Sequence, residues 1–132
     1  MKQSRIVYRC TIACSFLLII AALYRGLSIN NLIVAENTGD IGKHFSNTVL
    51  IDGILSATLL FGTAVWLLFL SGDLKKFSRK AWLQAVFIGL TFTVFGASLW
   101  YRYPTSIHLP AFLFVGMLLL VPLVWFGKNF RQ

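Results

Sequence analysis

Four stretches of this chain are apolar and free of charge: 10–24, 53–72, 81–101 and 109–127. The second organises the pattern. From Asn47 to Ser71 it reads NTVLIDGILSATLLFGTAVWLLFLS, and no charge falls between Asp52 and Asp73. A run of about 20 apolar residues crosses a hydrocarbon core of roughly 30 Å. The pattern therefore predicts an all-α integral membrane four-helix bundle. Residues 1–132 form a single transmembrane domain, with helices at about 7–28, 47–71, 81–101 and 109–127.

The first apolar run has basic flanks, with Lys2, Arg5 and Arg9 before it and Arg25 after it. No small-x-small cleavage site follows, because Leu23, Tyr24 and Arg25 are bulky, so the run reads as a retained helix and not a signal peptide. Its uncharged part covers only about 22 Å, so Arg9 and Arg25 would snorkel to opposite interfaces. Residues 26–46 carry Asn30-Asn31, Asn37 and three glycines, and are expected to form the longest connection. The second helix is expected to stop at Ser71-Gly72-Asp73, ahead of a basic loop with Lys75, Lys76, Arg79 and Lys80. The third is bracketed by Trp82 and by Trp100, Tyr101 and Tyr103, as interfacial aromatics are. In the fourth, Pro110 fits the first turn and Pro122 should kink the interior.

Composition agrees with this class. The chain is 58% hydrophobic and 12% charged, against roughly 25% charged in soluble domains. The net charge of +8 does not imply a nucleic-acid partner, because the basic residues flank apolar segments and do not form one patch. They are unevenly shared between sides. Lys2, Arg5, Arg9, Lys75, Lys76, Arg79, Lys80, Lys128 and Arg131 fall on one side, and Arg25, Lys43 and Arg102 on the other. The positive-inside rule then places both termini in the cytoplasm, in a bacterial inner membrane. Cys10 and Cys14, four residues apart near the reducing side, read as packing residues and not as a disulfide.

Polar residues recur on single helical faces. Asp52, Ser56 and Thr63 lie within about 40° of one another, as do Gln84, Thr91, Ser98 and Arg102, and Thr11, Ser15 and Arg25 lie within about 80°. Polar groups avoid lipid, so these stripes are expected to face each other inside the bundle, with the fourth helix as an apolar wall. Gly53, Ala57, Gly89 and Gly96 would allow close helix approach. An acid at mid-membrane costs about 2.5–3.5 kcal/mol on insertion scales. Lipid cannot solvate Asp52, and Arg25 and Arg102 stand at similar depth to supply its counter-ions. With Tyr101 and His108 they make a candidate outward-facing ligand site, and Tyr24, Tyr103 and His44 lie in the same region. The bland alternative is a structural ion pair that closes the bundle.

No nucleophile–base pair, metal-ligand cluster or phosphate loop stands out, so no catalytic residue, metal or cofactor is assigned. Three functions remain open. One is a non-catalytic accessory or ligand-binding component of a membrane complex, whose partners are the lipid bilayer and another membrane protein, a quinone or an anionic lipid. The second is a small cation- or proton-coupled transporter using Asp52. The third is a quinone- or lipid-interacting redox subunit. The helix count is similar to that of small multidrug resistance transporters, but their acid lies deep in the first helix, which here has none.

The layout also resembles the DoxX-like group of small four-helix bacterial membrane proteins. The shared features are a first helix and a longer outer connection, then a helix opening with an acid–glycine pair, here Asp52-Gly53. A basic loop follows, then a third helix ending in small residues and an arginine, here Gly96-Ala97-Ser98 and Arg102. Members of that group are linked to respiratory or sulfur-redox complexes. The resemblance implies an accessory role and no catalytic residue.

Overall fold

The computed structural model describes residues 2–37, 43–104 and 109–130. The described regular structure is helical: α1 (Lys2–Asn37), α2 (Lys43–Lys75), α3 (Arg79–Arg102), α4 (Leu109–Trp125) and a short 3-10 turn, Gly127–Phe130. Three helices are long and apolar enough to cross a membrane, over Ser4–Asn31, Val49–Lys75 and Arg79–Arg102. α4 has 17 residues, at the lower end of the roughly 17–25 that a span needs.

The expected boundaries on either side of the first two connections move. α1 does not stop near Gly26 but runs through Asn30-Asn31 to Asn37. Asn costs less than about 0.7 kcal/mol and Gly about 1 kcal/mol in a helix, too little by themselves to end one. Most of the connection expected at 26–46 is therefore helix, taken up by the end of α1 and the start of α2. Likewise α2 passes through Gly72 and ends only at Lys75, so the basic loop shrinks to Lys76–Ser78.

The chain divides into two compact units, Met1–Ser15 with Trp66–Gln132, and Phe16–Val65. In the first, α3 lies against α4 through small residues. Ala81, Ala85, Gly89 and Gly96 are buried on α3, and Val115, Gly116, Leu119 and Leu123 on α4. A methyl group added at Gly96 would lie 2.7 Å from the Leu113 backbone nitrogen, so only glycine permits this approach. Phe92 and Phe112 stack across the same interface with ring centres 6.1 Å apart. The start of α1 joins this unit with Val7, Thr11 and Cys14 buried, and the Cys14 thiol donates to the Val115 carbonyl at 3.6 Å.

The α2–α3 connection is a Schellman cap. The Phe77 amide donates to the Leu74 carbonyl and the Ser78 amide to the Asp73 carbonyl, both at 3.1 Å. Phe77 has φ 58°, in the position that glycine usually takes. Its ring explains the exception, because it packs edge-on against Phe130 with centres 5.1 Å apart. Ser78 then caps α3, its hydroxyl accepting from the Ala81 amide at 3.5 Å. Phe77→Gly relieves about 1–2 kcal/mol of backbone strain while losing a ring contact of about 0.5–1.5 kcal/mol. Phe77→Ala loses the ring and keeps the strain. Denaturant unfolding in detergent should place Phe77→Ala below Phe77→Gly by about 1 kcal/mol. The reverse order would contradict the strain assignment.

The second unit pairs the later part of α1 with the early part of α2, running antiparallel: Ile29 meets Gly53, and Arg25 meets Ser56.

Candidate functional site

Asp52 opens the polar face of α2, one turn before Ser56. Within the second unit the Arg25 guanidinium reaches both. One nitrogen lies 3.8 Å from a carboxylate oxygen of Asp52, and Nε donates to the Ser56 hydroxyl at 3.2 Å. That hydroxyl in turn donates to the Gly53 carbonyl at 2.9 Å. A methyl group at Gly53 would come within 2.9 Å of the Ile29 side chain, so the missing Cβ lets α1 seat beside the charged turn. Ser56 thus belongs to the site, and its place four residues after Asp52 was the sequence signal for it.

The remaining expected members fall outside the second unit or outside the described residues. Tyr101 and Arg102 belong to the other compact unit, at the end of α3, where both are exposed. His108 and the side chain of His44 lie outside the described residues. Within the second unit the described geometry is an ion pair buttressed by one hydroxyl. Its side chains are 44% exposed for Arg25 and 77% for Asp52. Among the described residues, most of the carboxylate's accepting capacity is left open to a proton, a cation or a hydrogen-bond donor.

Three residues into its candidate span, Asp52 stands at interfacial depth, and where water reaches the pair it contributes little to stability, about 0.2–1 kcal/mol. A double-mutant cycle of Arg25→Gln and Asp52→Asn, read by unfolding in detergent, should give a coupling below about 1 kcal/mol. A coupling of 3 kcal/mol or more, about what breaking a buried pair costs, would show that the pair is desolvated.

The polar stripes divide in two. Thr11 and Ser15 are fully buried, as expected, but each hydroxyl bonds its own helix, Thr11 to the Val7 carbonyl at 2.8 Å and Ser15 to the Thr11 carbonyl at 2.9 Å. On α3 the expectation fails. Gln84, Ser98 and Arg102 are exposed, and Thr91 is half-buried with its hydroxyl on the Phe87 carbonyl at 2.9 Å. The small residues took the α4 interface instead. Gln84, Thr91 and Ser98 form an outward row about 120° around the helix from Ala81, Ala85, Gly89 and Gly96. They are flanked by the exposed Leu83, Phe87, Leu90 and Val94.

Cys10 and Cys14 are free thiols. Among the described residues no three His, Cys, Asp or Glu side chains gather where a metal ion could be held. No family model matches the chain, and no curated protein or solved structure compared with it gives a match.

Proposed function

We propose that this chain is a non-catalytic accessory or ligand-binding component of a membrane complex. The observation that carries the reading is the outward polar row of α3. Within lipid, an exposed amide and hydroxyl at positions 84 and 98 have no solvent to bond. A neighbouring transmembrane helix can supply those bonds, each worth about 0.6–2 kcal/mol. The resemblance to DoxX-like membrane proteins points the same way. So does the uneven sharing of basic residues, which favours both termini in the cytoplasm of a bacterial inner membrane.

A second reading has one observation in its favour. Asp52 offers an open carboxylate near the start of a candidate span, which suits a small cation- or proton-coupled transporter.

The test of the first reading is assembly. Extracted in a mild detergent, the parent should migrate on a native gel in a species that contains a second polypeptide. Gln84→Leu combined with Ser98→Leu should release the chain from it, since leucine satisfies lipid but not a partner's polar groups. A parent that carries no companion polypeptide would overturn the reading.

A further inference from the structure

Within the first compact unit, an apolar groove lies between the start of α1 and α4. Ile6 and Cys10 form one wall, and Phe114, Met117, Val121 and Trp125 most of the other. Its volume is about 530 Å³, inside the range of roughly 300–1,000 Å³ that small-molecule sites occupy. The helices run antiparallel here, since Cys14 meets Val115 while Ile6 shares the groove with Trp125 and Phe126. The groove therefore extends along the helix axes from Phe126 to Phe114. Twelve helical steps cover about 18 Å, close to the half-thickness of a bilayer core of roughly 30 Å.

Charge is confined to the half of the groove nearer Phe126. Arg5 and Arg9 each precede a groove residue on α1 and are exposed, and exposed Lys128 follows Phe126 by two positions. The same end of the unit gathers further cations. Lys75 lies over the Tyr8 ring at 5.5 Å, and the Phe77–Phe130 contact draws the connection bearing Lys76 and Arg79 to the 3-10 turn. Asp73 is the one acid of this unit among the described residues. Trp125 at the rim is 79% exposed, the placement of an interfacial anchor. The deeper end, around Phe114 and Met117, is lined by apolar side chains.

We propose that this groove binds an anionic phospholipid, one acyl chain lying along α4 and the phosphate held by Arg5, Arg9 and Lys128. A groove that is cationic at its rim and apolar for about the depth of a leaflet has the polarity of that molecule. A partner helix would fill the apolar part but leave the three cations unmatched. The site is separate from the α3 row, so it stands or falls independently of the complex.

Native mass spectrometry of delipidated protein, titrated with phosphatidylglycerol or phosphatidylcholine, tests it. Each surface cation near a headgroup contributes about fivefold in affinity. The parent should retain phosphatidylglycerol well above phosphatidylcholine. Arg9→Gln should lose about fivefold of that preference, and the triple variant Arg5→Gln, Arg9→Gln, Lys128→Gln nearly all of it. Val121→Trp, at an exposed wall position, should expel both lipids while the melting temperature shows the protein folded. Met117→Trp serves the same end should the first variant fail to fold. Equal retention of the two lipids by the parent would overturn the proposal. So would undiminished phosphatidylglycerol binding in the folded groove-filling variant, or a groove adduct that proves to be polypeptide.

Discussion

Gly116→Leu is expected to prevent α3 and α4 from docking, and Gly116→Ala to lower stability by about 1–3 kcal/mol. A methyl carbon at this position would lie 2.5 Å from the Thr93 hydroxyl, 2.6 Å from the Thr93 amide nitrogen and 3.0 Å from the Gly89 carbonyl. Two of those three atoms are backbone, so relief requires the helices to part. Alanine gains about 1 kcal/mol of helix propensity over glycine, and the overlap outweighs it. Gly62→Ala is the control. Nothing lies within 4 Å of its added methyl, so the propensity term acts alone and stability should hold or rise slightly. Thermal melts of the three proteins in one detergent check this. Equal melting temperatures for Gly116→Ala and Gly62→Ala would contradict the close α3–α4 approach.

Phe130→Ala should cost about 3–5 kcal/mol, the range for emptying a buried aromatic site. Phe130 is fully buried at the end of the 3-10 turn. It stacks on Trp82 with centres 6.3 Å apart and meets Phe77 edge-on. Trp82 is itself tied to α4, its indole N–H donating to the Leu123 carbonyl at 2.8 Å, with Gly127 packed on its ring. Removing the Phe130 ring therefore loosens the α2–α3 connection, α3 and the tail of α4 together. Unfolding in detergent should show the loss, with Trp82 fluorescence shifting to the red. A change below about 1 kcal/mol, the level of an ordinary surface substitution, would mean that the turn does not hold this end.

The four helices were legible because unbroken apolar runs leave few alternatives for a backbone that must satisfy its own hydrogen bonds. Their ends were less so. Gly26, Asn30-Asn31 and Gly72 read as breaks, yet each costs a helix only about 1 kcal/mol or less. The true stop after Lys75 uses Phe77 where pattern reading looks for glycine. The Arg25–Asp52 pair was legible from depth along two helices, and Ser56 from its spacing. What polarity could not decide was which face of α3 turns inward. Thr91 and Thr93 satisfy their hydroxyls on their own helix, at the Phe87 and Gly89 carbonyls, so a hydroxyl there demands no interior. Close contact between Gly89, Gly96 and Gly116 demanded one more strongly. The α1–α4 groove left no trace in the pattern, because its walls are uniformly apolar.

The most direct measurement of the proposed role is a photo-crosslinking scan of α3 in intact membranes, one position at a time from 83 to 98. Adducts to a second polypeptide should peak at 84, 91 and 98 and fall to background at 86 and 93, about 140–160° around the helix from the row. Yields that are flat along the helix, or highest at 86 and 93, would contradict a partner seated on the polar row.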